Sequence, residues 1–371
     1  VGWRQKRHAE AAALVGPARS LLALAPDDPR LSARFHGYVA RLHHERGHYD
    51  EARQEFEQEL RLVERAYGPG SLAVAKATTN VATNLVYQGR YSEALPLMER
   101  TLALYQRELG EEHPDFARAL NNLAFLHQHS GHNAEAVPIF RRVLSLRERL
   151  LGPDHPSTLL STYNLASALV GDEKYDEAEA LLQTHRARSE KRFGPEHPEV
   201  AWSLLELGVV AMAQRRYADA KAPLERALAI REKALGDKHP DVGRVLQSMA
   251  VLHCRLGEST KAAALLARGD AIREQSLGGN HRELAEGWLP YIECCLDQAP
   301  KRAALREEAR RLAERALGVF ETLGKDGEGK ARATAEFLLA RALDVDPRER
   351  ARARALAQSA AARLTQGEGS E

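Results

Sequence analysis

The chain has 371 residues, 44% of them hydrophobic and 28% charged, which supplies a sizeable core and argues against wholesale disorder. Lysine plus arginine (53) nearly cancels aspartate plus glutamate (52), so the strong basic excess that nucleic acid or an anionic membrane selects is missing. No apolar run reaches the about eighteen residues that a membrane span needs, and the first residues are not expected to act as a signal peptide.

Taken in chain order, residues 3–24 read as the remnant of one helical unit, with 1–30 as a degenerate N-terminal cap. An array follows. Ala52, Ala94, Ala136, Ala178, Ala220 and Ala262 recur every 42 residues. Gly68, Gly110, Gly152, Gly194, Gly236 and Gly278 keep the same step, as do His113, His155, His197, His239 and His281. Each unit reads as two helices. The stretch 72–88 lacks Pro and Gly and carries Leu72, Val81, Leu85 and Val86 at helical spacing. Gly89 stops it, and a second helix opens at Tyr91-Ser92-Glu93-Ala94 and runs to about Leu109. Ser92, and Asp50 one repeat earlier, are the expected N-caps. Gly110 is expected to take a left-handed conformation after the second helix, and Pro114 fits the first turn of the next. No period-two pattern lasts long enough for a strand. Past His281 the pattern decays: Ala304 keeps the register, but 324–329 is a Gly-rich turn and 330–364 a last helical pair. We therefore expect repeat units over 31–282 and degenerate helical pairs with a C-terminal cap over 283–371.

The residues inside the repeat identify its kind. Gly47-His48-Tyr49-Asp50-Glu51-Ala52, Gly89-Arg90-Tyr91-Ser92-Glu93-Ala94 and Glu173-Lys174-Tyr175-Asp176-Glu177-Ala178 resemble the helix-turn-helix signature of tetratricopeptide (TPR) units. The small Ala allows close helix approach and the Tyr packs across the turn. Asn121-Asn122-Leu123-Ala124, then Gly131, Ala136, Arg147-Glu148, Leu151-Gly152 and His155-Pro156, resemble the 42-residue TPR repeat of kinesin light chains. The consensus returns as Ile230-Arg231-Glu232-Lys233-Ala234-Leu235-Gly236-Asp237-Lys238-His239-Pro240. The resemblance implies an all-α fold, a right-handed TPR superhelix (α-solenoid) of antiparallel helix pairs, with about six 42-residue repeats plus degenerate terminal pairs.

Charge is sorted between the two helices. The stretch 72–88 holds only Lys76 and 157–170 holds no charge, whereas second helices are crowded, as with Arg141, Arg142, Arg147, Glu148 and Arg149. Second helices are thus expected outside, in solvent, and first helices inside. In kinesin light chains the first helices line a concave groove for extended peptides, whose backbone is held by side-chain amides. The matching positions are Asn80, Asn122 and Asn164, followed by Glu206 and Ser248, with Asn121 beside Asn122. Bonds from these amides to the neighbouring repeat are the alternative. One turn earlier stand Lys76, Arg118, Leu160 and, later, Arg244, a set that favours carboxylates. Phe125 and Tyr163 are candidate apolar contacts.

The expected function is a cytoplasmic, non-enzymatic scaffold that takes a protein or peptide ligand, extended and acidic-leaning, in its groove, with no nucleic acid, membrane or cofactor. The alternative is the sensor or regulatory region of a larger bacterial signalling protein, such as a Ser/Thr kinase or nucleotide-binding ATPase or protease module. The start at Val1 rather than Met motivates it. Three lookalike motifs are set aside. His44-Glu45-Arg46-Gly47-His48 matches H-E-x-x-H, but Gly47 holds the position of Gly89, Gly131 and Gly257, where first helices end, so the two histidines do not share one helix face. Gly324 to Lys330 fits a phosphate loop, but Ala331 replaces the required Ser or Thr and no strand precedes it. Cys254, Cys294 and Cys295 form no C-x-x-C or zinc spacing and are read as unpaired cysteines of a reducing compartment.

Overall fold

The computed structural model describes residues 13–22, 24, 28–45, 48–300, 302–323 and 329–368. The remnant at 3–12, the turn at Gly47 and the loop at 324–328 lie outside the described residues. Among the described residues there are seventeen helices and no strand. The chain divides into two compact units, Val1–Glu173 and Lys174–Glu371.

Unit 1 holds a short helix α1 (Val15–Leu22), then α2 (Pro29–Glu45), α3 (Tyr49–Tyr67), α4 (Leu72–Tyr87), α5 (Tyr91–Leu109), α6 (Pro114–His129), α7 (Asn133–Leu151) and α8 (Pro156–Gly171). Here α2/α3, α4/α5 and α6/α7 are tandem pairs, and each of α4, α6 and α8 also packs on the second helix before it. Unit 2 holds α9 (Tyr175–Phe193), α10 (Pro198–Ala213), α11 (Tyr217–Leu235), α12 (Pro240–Arg255), α13 (Ser259–Leu277), α14 (Arg282–Gln298), α15 (Ala303–Thr322), α16 (Lys330–Leu343) and α17 (Arg350–Glu368). Its pairs are α10/α11, α12/α13, α14/α15 and α16/α17.

The periodic residues explain the packing. Ala52, Ala94, Ala136, Ala178, Ala220 and Ala262 are all 0% exposed, as expected of positions where only a methyl group fits between helices. Full-length first helices in the array run 16 residues and second helices 19, which places the length added beyond an ordinary TPR unit in the helices themselves. Gly68, Gly110, Gly152, Gly194, Gly236 and Gly278 end the second helices at φ between 77° and 90°. Their ψ is extended, near 171° at Gly110, so the backbone leaves the helix in a direction open to glycine alone. The N-caps of the second helices lie two residues earlier than the sequence suggested. His48 and Arg90 are the N-cap residues and make no side-chain cap bond, while Asp50 and Ser92 sit inside the first turn. The reversal at Gly89 (φ 77°) brings Tyr91 into the helix, which leaves Ser92 too far along to cap.

First helices are capped by histidine. In His113, His155, His197, His239 and His281 the ring Nδ1 accepts the backbone N–H two residues on, at 3.1–3.2 Å. Pro114, Pro156, Pro198 and Pro240 then occupy the first turn, where no N–H is needed. Ser71 does the same work one repeat earlier, its Oγ accepting from the Val74 N–H at 3.3 Å.

Two expectations are corrected. Arg147 is not solvated: it is 6% exposed, and its Nη1 donates to the Ser157 carbonyl (2.9 Å) and Ser161 Oγ (2.8 Å). Burial lowers its pKa to about 10. Arg231 and Arg273, in the same register, are also buried and reach Asp241 O (2.9 Å) and Glu283 (3.0 Å). The cysteines are not all free. Cys254 of α12 and Cys294 of α14 form a disulfide with Cα atoms 6.3 Å apart, and Cys295 remains a buried thiol. The two partners are 40 residues apart, two short of one repeat, so stacking of consecutive first helices brings them together.

Replacing His155 with Ala should destabilise unit 1 by about 1 kcal/mol in urea titration, the usual effect of losing an N-cap acceptor. Reduction of the Cys254–Cys294 bond, which closes a 40-residue separation, should lower the stability of unit 2 by about 4 kcal/mol. Thermal melts with and without dithiothreitol, with alkylation mass spectrometry to count free thiols, check this.

Candidate functional site

The first helices α4 and α6 are each covered on two sides, by their own second helix and by the one before it. What stays uncovered is a strip at steps of three and four residues. On α4 the strip is Leu72, Lys76, Asn80, Thr83 and Tyr87; on α6 it is Arg118, Asn122, Phe125 and His129; on α8 it is Leu160, Tyr163, Asn164 and Ser167. The same register on α2 gives Arg34, Tyr38 and Arg41, all exposed, Tyr38 at 60%.

The amides of this face have different surroundings. Asn80 Nδ2 donates to Glu59 Oε2 of α3 at 3.2 Å. Asn164 Nδ2 donates to Asn121 Oδ1 of the preceding first helix at 3.1 Å. Asn121 is 8% exposed and lies beneath the face. Asn122 is half-buried and makes no side-chain hydrogen bond among the described residues. Gln128 and Ser167 join α6 to α8 at 3.0 Å.

Cations run along the same face. Arg34, Arg41 and Lys76 form no ion pair within 4.0 Å among the described residues. Lys76 and Arg41 act electrostatically on Glu59. Arg118 pairs with Asp115 at 2.9 Å and reaches Tyr105 Oη at 3.4 Å. Burial pulls the Arg118 pKa down, but Asp115 and Tyr105 outweigh it and the net direction is up. No charged residue lies on α8, where Leu160 is 49% exposed.

Aromatic rings close the C-terminal end of the strip. Phe125 lies 3.9 Å from the His129 ring centroid and 5.9 Å from that of Tyr87. Tyr87 stacks on Tyr49 and meets His44 edge-on at 4.8 Å. His44 Nδ1 is also within 2.8 Å of Asn84 Oδ1, so the first histidine of the H-E-x-x-H match is engaged by amide and aromatic neighbours. Among the described residues no group of three or more His, Cys, Asp or Glu is arranged to hold a metal ion.

Lys76, Asn80, Arg118, Asn122, Phe125, Tyr163 and Asn164 thus share one face of unit 1, with Asn121 under it. Arg244 belongs to unit 2, where its Nη2 meets Glu206 at 3.2 Å and its guanidinium lies 5.4 Å from the Trp202 ring centroid. Sequence reading missed Arg34, Tyr38, Arg41, Tyr87 and His129. Stepping back one repeat from Lys76 and Asn80 would have found the first two. Among the described residues of unit 2, His185 Nδ1 lies 2.5 Å from Ser203 Oγ, both buried in the core. Burial lowers the His185 pKa to about 4.

The tetratricopeptide repeat model matches in overlapping stretches, 31–107, 74–143, 115–191, 159–233 and 200–275. Among curated proteins, none matches the sequence. Of solved structures, the nearly identical TPR-like repeats of a putative kinesin light chain from Podosopora anserina are 28% identical, covering 54% of this chain and 95% of that one, at a TM-score of 0.45. The Rap conjugation gene regulator of plasmid pLS20, in complex with the Phr* peptide, is 17% identical, covering 74% of this chain and 71% of that one, at 0.56. Aspartyl phosphate phosphatase F from Bacillus subtilis is 15% identical, covering 99% and 90%, at 0.54.

The amide geometry separates structural from ligand-facing positions. Asn164→Ala, which strips Asn121 of its donor, should cost about 1 kcal/mol. Asn122→Ala should stay within about 0.5 kcal/mol of wild type. Urea unfolding of both variants checks the difference.

Proposed function

The chain belongs to the tetratricopeptide repeat family, and on that premise we propose that it is a non-enzymatic scaffold that binds an extended peptide segment along the first-helix face of unit 1. The observation that carries this is the uncovered strip itself. The first helices present Tyr38, Lys76, Asn122, Phe125 and Leu160 at neighbouring positions of the repeat, a mixture of amide, cationic, aromatic and aliphatic groups on rigid elements. An extended backbone finds a donor and acceptor in Asn122, and its side chains find the aromatic end near Tyr87 and Phe125. The pLS20 regulator, seen with the Phr* peptide, shows that a related fold holds a peptide and supports the reading by analogy.

The ligand is acidic-leaning in this proposal, because Arg34, Arg41 and Lys76 offer charge-assisted bonds to carboxylates and α8 offers none. In the same proposal residues 31–282 are the repeat units, with 1–30 a degenerate N-terminal cap and 283–371 degenerate helical pairs and a C-terminal cap. No described helix is long and apolar enough to cross a membrane.

Fluorescence polarisation with an acidic peptide library tests the assignment. Asn122→Ala and Lys76→Ala should each weaken selected peptides about fivefold to tenfold, matching the loss of one charge-assisted or amide bond. Unchanged affinity in both variants would remove the groove from this face.

A further inference from the structure

Glu59 is placed unusually for a solvent-rich second helix. It sits on α3, but its carboxylate points back between α2 and α4, against Gly37 and under Asn80. A Cβ at position 37 would overlap that carboxylate, so the glycine on α2 makes the room it needs. Asn80 donates to it, and Arg41, Lys76 and His36 act on it from α2 and α4. His36 is itself held by Glu55, at 2.5 Å. A carboxylate surrounded by an amide and two cations of the binding face is the arrangement expected of a bound acidic side chain. Here the protein supplies it from within.

We propose, resting on the groove reading above, that Glu59 is an internal competitor for the ligand: its carboxylate engages Asn80 and offsets Arg41 and Lys76, and an acidic peptide binds by taking over those partners. Glu59 thereby sets the acidity that a ligand must have. A weakly acidic segment fails to displace it, and a segment with several carboxylates succeeds. Burial raises the pKa of Glu59 against the pull of Asn80 and the cations, so its charge is penalised where it sits. In unit 2 a carboxylate of a first helix, Glu206, 6% exposed, faces Arg244.

The test uses the whole chain and two fluorescein-labelled decapeptides, one alternating Glu and Ser, the other alternating Gln and Ser. Glu59→Gln should bind the Glu peptide about threefold to tenfold more tightly than wild type, in line with removal of one partly screened charge, and leave the Gln peptide unchanged. Glu59→Met, of similar length with no acceptor, should behave alike and guards against a local defect of the Gln variant. Unchanged or weaker binding of the Glu peptide in both variants overturns the proposal, as does equal tightening for both peptides. If Asn122→Ala weakens the Glu peptide while neither Glu59 variant tightens it, the groove stands and only the competitor role falls. If no variant or wild type binds either peptide, both fall together.

Discussion

A helix pair of this array has no way to bury its apolar faces alone, and the contact that joins the two helices is a methyl group. Ala52, Ala94 and Ala136 in unit 1, and Ala220 and Ala262 in unit 2, have no solvent exposure. Any larger side chain there would push the helices apart, and the neighbouring positions would lose their packing distances. Everything else follows from keeping that approach constant. The glycine that ends each second helix and the histidine that caps the next first helix hold the link between pairs to one length, so each pair meets its successor in the same register within a unit. A first helix covered from both sides then has only one narrow strip to offer, and chemistry is confined to it.

Within that constraint the repeat preserves position and varies character. Tyr87 and His129 sit at the C-terminal end of the strip in unit 1; the same register in unit 2 holds Arg255 and Asp297, paired at 2.6 Å. Asp297 is bonded in turn by Arg341 at 2.9 Å, and both arginines hold its carboxyl below the usual range despite partial burial. One stretch of the register is therefore aromatic and the other a chain of ion pairs whose members already satisfy one another. The near-equality of 53 and 52 charges reflects this second arrangement as much as it reflects a solvated outer surface.

Much of this was legible in the sequence because it depends on spacing. The 42-residue step, the helix ends, the alanine contact and the histidine caps each repeat several times, and repetition separates them from chance. The family follows from the same residues. What spacing did not disclose is where a side chain goes across the stack. Arg147 looks like any other charge on a crowded second helix, yet it turns inward to the first turn of α8. Cys254 and Cys294 match no local motif, because the bond runs between repeats rather than within one. Asn80 and Asn164 share a register with Asn122, yet Glu59 and Asn121 claim the first two, and those partners sit on other helices. Arg34 and Tyr38 escaped because the turn motif begins after α2, so the register was not carried back to it.

The strip also sets what kinds of change in length the array tolerates. An α-helix turns about 100° per residue, so one residue added inside a first helix swings everything beyond it away from the strip and into the core. Forty-two residues added at a linker bring the next first helix back with its strip facing the same way. Recognition in such a chain is therefore edited in whole repeats, each carrying its own alanine, glycine and histidine, and the ligand surface lengthens or shortens by one strip at a time.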